Sequence, residues 1–115
     1  IPRIAHFVVE ASLEFFRDRL GEGSERKLFE QGIAPPARAF SVEFLKPMTW
    51  DDLIAIEVEA KEIRTHAIVL SFLGKLSGSA VFTAEFTQVI ISTETMRPIS
   101  VPAELRNKLL GANDG

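Results

Sequence analysis

Four long apolar segments in the middle of the chain constrain its fold more than any other feature. They read ARAFSVEFLK, DLIAIEVEAKEI, HAIVLSFLGK and SAVFTAEFTQVIIST. Three of them alternate apolar with polar side chains, which is typical of half-buried strands, and the third in order is apolar on both faces. The connections are short, whereas parallel strands need crossovers of a dozen or more residues. The sequence therefore predicts one antiparallel sheet.

A strongly apolar helix is predicted before the strands, over residues 2–19. Pro2 suits the first helical position, where its missing N–H costs nothing, and Gly21 and Gly23 end the helix. Apolar residues recur at helical spacing, at Ile4, Phe7, Val8, Ala11, Phe15 and Phe16, opposite a polar stripe of Arg3, His6, Glu10, Glu14 and Arg17. The wide apolar arc predicts that most of the helix circumference is buried, with the sheet curled around it.

Three shorter elements complete the prediction. Residues 24–31 form a second helix, with Ser24 as N-cap and Gly32 as the stop, and GIAPPAR then forms a turn. GKLSGS is a hairpin-sized connection between two strands. SVPAELRNKLLG is a terminal helix that Pro102 opens and Gly111 closes. The class is α+β: helix, short helix, four strands, helix.

Composition narrows the class of protein. A chain of 115 residues is expected to form one domain, residues 1–115. The net charge is −3 with mixed signs, so no basic stripe favours nucleic acid as a partner. There are no cysteines and only two histidines, His6 and His66, which argues against a metal site. No apolar run reaches the roughly 18 residues of a membrane span, and no signal peptide is visible, so the cytoplasm is expected.

The stretch FLKPMTWDD joins the first two strands at a sharp corner. Pro47 cannot donate to a strand ladder and ends the first strand. Asp51 and Asp52 solvate the turn and discourage pairing at the edge. Two interpretations stay open. The corner is purely architectural, or Lys46 faces a groove and contacts a phosphate of a ligand.

The order of these motifs resembles the hotdog-fold acyl-CoA thioesterases, in the branch of 4-hydroxybenzoyl-CoA thioesterase. The resemblance rests on the first helix, on FSVEFLKPMTWDDLIAIEVEAKEI and on TETMRPISVPAELRNKLL, and covers nearly the whole chain. It includes the Lys-Pro strand end, the acidic start of the next strand, and a Thr-x-Arg-Pro-like turn before P-x-E-L. It implies a hotdog fold, a long antiparallel sheet curled around a central helix. On this resemblance, the N-terminal strand of that fold is expected to precede Ile1.

The resemblance also implies an activity. Family members hydrolyse acyl-CoA thioesters to free acid and coenzyme A without metal or cofactor. Their homodimers or homotetramers share active sites across paired sheet edges. The family's catalytic Asp is expected upstream of Ile1. The backbone N–H of Ile1 lies at the helix entrance, where the unpaired N–H groups and dipole would stabilise the thioester oxygen.

Glu10 is the second candidate for the chemistry. Other hotdog enzymes, including the dehydratases, use a helix carboxylate, and FVVEAS is locally similar to the dehydratase helix. His6 lies four residues earlier, on the same helix face. In a dry groove, a Glu with raised pKa can act as a base. The alternative is a surface stripe of paired charges.

A third site is implied at EIRTHAI, where the family has a polar turn that contacts pantetheine or phosphates. Arg64, Thr65 and His66 match that turn in part, and the alternative is an ordinary exposed hairpin. Arg97 matches the family's turn Arg, with a structural role as the alternative. Lys46, Arg64 and His66 are expected to flank one groove and to reach the coenzyme A phosphates.

Three functions therefore remain at the level of the sequence. The first is an acyl-CoA thioesterase. The second is a hotdog dehydratase that uses Glu10 and needs an upstream His. The third is a catalytically inactive binding or assembly subunit. The residues before Ile1 would discriminate among them, because an Asp followed by Gly favours the hydrolase and a His favours the dehydratase.

Overall fold

The computed structural model describes residues 4–47 and 53–111. The elements are α1 (Ile4–Leu20), α2 (Ser24–Glu30), β1 (Ile33–Ala34), β2 (Ala37–Phe44), β3 (Ala55–Ile63), β4 (Ala67–Leu76), β5 (Ser79–Val89), β6 (Ile91–Ser92) and α3 (Ala103–Gly111). The predicted helices and the four long strands are confirmed. The two-residue strands β1 and β6 were not predicted, because two residues are too few to show a period. Residues 33 and 34 fall within the stretch predicted as a turn, and they pair with Ser92 and Ile91.

The four long strands form one antiparallel sheet, as predicted, and the structure adds their order, β2-β5-β4-β3. The predicted hairpin between β4 and β5 is present, but its connection is shorter than GKLSGS, because β4 continues to Leu76 and β5 begins at Ser79. Ser77 and Gly78 both have positive φ, 52° and 84°, which is the backbone of the turn that suits the twist of a hairpin. The sheet therefore has β4 and β5 at its centre and β2 and β3 at its edges.

Burial follows this order. In β4, which lies between β3 and β5, the first four residues, 67–70, are all buried. In β2 every residue except Val42 is exposed. The core joins α1, β4, β5 and α3, through Val8, Phe15, Phe16, Ile68, Leu70, Phe72, Val81, Phe82, Ala84, Phe86, Ile90, Val101, Leu105 and Leu109.

Helix α1 packs on one face of the sheet through a narrower stripe than the sequence predicted. Val8, Phe15 and Phe16 are buried, but Phe7 and Val9 are each 43% exposed. The expectation that most of the circumference is buried is therefore wrong for this chain. The reason is the set of elements that cover the helix: α1 packs against β3, α3 and α2, and these contacts leave the side that carries Phe7 and Val9 partly open.

The start of α2 differs from the prediction, whereas Pro102 and Gly111 bound α3 as predicted. The N-cap of α2 is Gly23, with φ of 76°, while Ser24 is the buried first residue of the helix and forms no side-chain cap. A glycine at this point adopts the left-handed backbone without a steric penalty. Helix α3 starts directly after Pro102, whose carbonyl accepts a hydrogen bond from the Arg106 N–H at 2.9 Å.

The packing of α1 predicts opposite effects for two adjacent valines. Val8 is fully buried, whereas Val9 is half-exposed. We expect Val8→Ala to lower the free energy of unfolding by about 2 kcal/mol, from lost burial and the cavity left behind. The matched change Val9→Ala should cost about 0.5 kcal/mol or less. Urea unfolding measures both, and equal losses would contradict this packing.

Candidate functional site

A groove runs between α1 and the start of β3. It has a volume of about 380 Å³ and is lined by Phe7, Glu10, Ala11, Glu14, Leu53, Ile54, Ile56 and Phe82. The four α1 residues share one helix face because they are spaced three and four apart. Most of the lining is apolar, and Glu10 and Glu14 supply carboxylates on the helix side. The groove therefore places a candidate base beside an apolar surface.

His6 and Glu10 share a face of α1, as their spacing predicts. His6 Nε2 lies 3.4 Å from Glu10 Oε1, with side chains 65% and 62% exposed. The His6 ring also lies against Phe7, with centroids 5.9 Å apart. The carboxylate is thus oriented by a neighbour but is not desolvated. The dry surroundings that the sequence interpretation assumed are not present around Glu10 in the single chain.

The other predicted residue at this end of the sheet is Lys46. It is exposed and follows β2, where its backbone N–H donates to the Val81 carbonyl at 3.3 Å. The remaining catalytic prediction, Ile1, and most of the corner, including Asp51 and Asp52, lie outside the described residues.

Arg64, Thr65 and His66 form the exposed turn between β3 and β4. The Arg64 N–H donates to the Ala67 carbonyl at 2.8 Å and closes the turn. The Arg64 guanidinium donates from Nε to Glu62 at 3.0 Å. This hydrogen bond lowers the pKa of the Glu62 carboxyl and raises the pKa of Arg64. Arg64 is therefore already paired, and an anionic ligand would have to compete with Glu62.

Arg106 on α3 fixes the backbone of this turn through hydrogen bonds, and sequence reasoning missed it. Its Nη1 donates to the Ile63 carbonyl at 2.8 Å, and its Nη2 donates to the Arg64 carbonyl at 2.9 Å. The carbonyl of Thr65 accepts from Val101 at 2.8 Å. No local pattern could reveal these contacts, because α3 follows the turn by about 40 residues.

Arg97 lies in the turn that follows β6. Its N–H donates to Thr95 Oγ1 at 3.2 Å, and its carbonyl accepts from the Ser92 N–H at 3.0 Å. Its backbone therefore shapes this turn, while its side chain is exposed. A structural role is observed, and a role in binding stays a prediction.

Within one chain the predicted phosphate contacts lie at opposite ends of the sheet. Lys46 adjoins Val81 at the start of β5, whereas the His66 carbonyl accepts from Ile90, just beyond its end. Nine residues of extended strand span about 30 Å. Lys46 therefore does not share a groove with Arg64 and His66 in the single chain. Glu10 belongs to the Lys46 end, because Phe82 lines its groove.

Two further classes of site were sought among residues 4–47 and 53–111. These residues contain no group of three His, Asp or Glu that could hold a metal ion. None of the helices there is long and apolar enough to cross a membrane.

Comparison with known proteins identifies the family. The family model for the thioesterase-like superfamily matches residues 2–109. The chain belongs to this superfamily. A search of the curated proteins finds no match.

Solved structures show that this superfamily member has the hotdog fold. A thioesterase superfamily protein from Jannaschia sp. CCS1 is 19% identical with a TM-score of 0.83, over 95% of this chain and 76% of its own. Slr0204 from Synechocystis, a 1,4-dihydroxy-2-naphthoyl-CoA thioesterase, is 13% identical with a TM-score of 0.80, over 95% and 80%. BH1999, a gentisyl-coenzyme A thioesterase, is 16% identical with a TM-score of 0.78, over 95% and 84%.

The contacts of Arg106 predict that replacing it lowers the free energy of unfolding more than replacing Lys108, another cation of α3. Arg106→Lys loses the two-pronged donation to neighbouring carbonyls, because Lys is a single point donor, and should lower the free energy of unfolding by about 1–3 kcal/mol. The control is Lys108→Ala, which breaks only an exposed pair with Glu104 and should cost well under 1 kcal/mol. Thermal unfolding compares the two, and equal shifts would refute the bracing role.

Proposed function

We propose that this member of the thioesterase-like superfamily hydrolyses acyl-CoA thioesters to a free acid and coenzyme A. Thioester hydrolysis is the general activity that the family supports. The observation that carries the proposal is the groove that places the Glu10 carboxylate beside apolar side chains. Two proteins of similar structure act on coenzyme A thioesters, which supports the same thiol group here.

Glu10 is the general base of this proposal. Its carboxylate takes a proton from water as the water oxygen attacks the thioester carbonyl carbon. The C–S bond then breaks, and the proton passes from Glu10 to the departing sulfur. His6 keeps the carboxylate oriented through the 3.4 Å contact. The apolar lining receives the acyl group, because burying its methylene groups is favourable by about 0.8 kcal/mol each.

Coenzyme A also carries phosphates, and exposed basic side chains at the ends of the sheet are proposed to contact them. Arg64 and His66 stand on the braced β3–β4 turn, Arg97 on the turn after β6, and Lys46 after β2. The chain is acidic overall, so a polyanionic ligand needs such local positive groups. Arg64 would exchange Glu62 for a phosphate, which a guanidinium binds with the same two-pronged geometry.

We further propose that the protein is a homodimer joined through β2. This strand is an edge of the sheet and is exposed along nearly all of its length. Phe40 and Phe44 are 40% and 43% exposed on it. An open edge with apolar side chains favours pairing with another strand, and a second copy supplies an identical one.

A β2–β2 dimer would also bring together the proposed phosphate-binding residues Lys46, Arg64 and His66, which lie at opposite ends of the sheet in one chain. Antiparallel pairing about a two-fold axis sets the Lys46 end of one sheet beside the Arg64 end of its partner. In the joined sheet, cations from both copies then flank the end that carries Glu10. The expectation of one shared groove for Lys46, Arg64 and His66 is kept here as a property of the dimer.

The catalytic proposal predicts a selective loss of turnover. Purified protein should release free thiol from at least one member of an acyl-CoA panel, with and without chelator. Glu10→Gln keeps the shape of the side chain but removes the base, so kcat should fall about a hundredfold or more with little change in KM. Glu30→Gln, the same change on exposed α2, is the control and should retain full kcat.

Three results would count against this proposal or a part of it. If no substrate of the panel is cleaved, the activity is rejected. If Glu10→Gln retains full kcat, hydrolysis stands but the base is another group. Activity lost on chelation would reject the metal-independent chemistry.

The dimer predicts a linked loss of assembly and binding. Phe44→Glu places a charge in the apolar patch of β2, so light scattering should show a monomer. KM should rise because the two sets of cations are separated. Phe29→Glu is the control, since Phe29 is 65% exposed on α2, and it should leave a dimer. A wild-type protein that is monomeric at micromolar concentration would end the idea.

A further inference from the structure

Phe82 forms part of the groove beside Glu10, and its ring is seated on Gly74. The Phe82 side chain has no exposed surface. A Cβ added at Gly74 would lie 2.1 Å from its Cε2 and 2.4 Å from its Cδ2, whereas real Cβ atoms essentially never come within 3.0 Å. The ring therefore occupies the space in which any other residue at position 74 would keep its side chain.

The register of the sheet explains why this ring reaches the groove. Phe82 on β5 pairs with Gly74 on β4, and Gly74 pairs with Ile56 on β3. The three residues form one row across the sheet. Because the middle position has no side chain, the ring lies across β4, toward Ile56. Phe82 and Ile56 both line the groove, so a glycine outside the lining determines how deep the groove is.

The groove suits an uncharged chain better than an acidic one. Phe7, Ala11, Ile54 and Ile56 supply apolar walls around Phe82, while Glu10 and Glu14 bring the same charge to the helix side. If the acyl group carried a carboxylate of its own, Glu10 and Glu14 would both repel it. The volume of about 380 Å³ lies near the lower end for small-molecule sites. The occupant that this lining favours is therefore a neutral acyl chain of limited length.

We propose that Phe82, whose ring lies over Gly74 because that residue has no side chain, sets the length of the acyl chain that the groove accepts. This inference rests on the proposed hydrolysis at Glu10. A chain whose thioester carbonyl lies at Glu10 extends along the apolar walls until it meets the floor of the groove, which the buried Phe82 ring fills from beneath. Methylene groups beyond that point leave the groove and stay in water, so the ring acts as the measuring residue.

The test is a chain-length profile of kcat/KM from acetyl-CoA to lauroyl-CoA. Phe82→Leu removes the ring edge and should shift the optimum to longer chains, raising the ratio of long-chain to short-chain kcat/KM about tenfold or more. Gly74→Ala lifts the ring toward α1 and should shift the optimum to shorter chains. The double variant Gly74→Ala with Phe82→Leu should match Phe82→Leu alone, because the added methyl group then meets no ring.

Phe72→Leu is the matched control. Phe72 is also buried in the core but does not line the groove, so this variant reproduces the packing loss without the change in depth. Its profile should keep the wild-type optimum. If Phe82→Leu does not fold, Phe82→Met replaces it, since Met has a similar volume on a flexible chain. It should give a smaller shift in the same direction. A Phe82 variant with the wild-type optimum overturns the inference.

A binding experiment separates this inference from the proposed activity. Non-hydrolysable S-alkyl-CoA thioethers, from propyl to dodecyl, are titrated calorimetrically into wild type and Phe82→Leu. If wild type cleaves no acyl-CoA but the variant prefers longer thioethers, hydrolysis is rejected and the measuring role stands. If the variant and wild type prefer the same thioether, the measuring role is overturned whether or not the protein is a hydrolase.

Discussion

The structure depends on the pairing of β4 with β5. These strands lie at the centre of the sheet, and most of the buried sheet residues belong to them. Each large apolar side chain buried there contributes on the order of 1.5–3 kcal/mol. The tight hairpin at Ser77 and Gly78 pairs Leu76 with Ser79, and a one-residue register shift next to Gly74 then sets Phe82 opposite it. Ile56 joins this row through the separate pairing of β3 with β4.

The position of α1 depends on its packing against the core that β4 and β5 form. Its buried stripe packs on the apolar face of the sheet near β3 and against α3, while the side that carries Phe7 and Val9 stays partly open. This incomplete cover has two consequences for function. It leaves the groove between α1 and β3 beside Glu10, and it leaves β2 exposed. The candidate site and the candidate dimer edge thus lie on the surfaces that the described part of this chain leaves uncovered.

An ion pair between Arg64 and Glu62 lies at the β3–β4 turn, at the end of the sheet away from Glu10. Glu62 has its pKa lowered by the hydrogen bond and charge of Arg64, so their pairing favours the folded chain at neutral pH. That contribution is lost as the pH falls through the lowered pKa of Glu62. Both side chains are about half-exposed, so water and salt weaken the pair. An exposed pair of this kind can be exchanged for a ligand phosphate at small cost, while Arg106 keeps the turn in place.

The sequence alone determined the elements and their order, because each has a local cause. Alternation over eight or more residues specifies a strand, helical spacing specifies α1, and Gly78 permits the hairpin. The shared face of His6 and Glu10 also follows from spacing within one helix. The resemblance to the hotdog thioesterases supplied the fold and the activity class, and the family match agrees with it.

Only the tertiary structure decided how these elements bring residues together. Lys46 and Arg64 were expected in one groove, yet β5 separates them by its length. Arg106 and the Gly74–Phe82 contact were not foreseen, and neither was the exposure of Phe7 and Val9. Local periodicity reports which face of an element is apolar but not what covers that face. Contacts between residues far apart in sequence depend on strand register and helix position, which the whole core determines together.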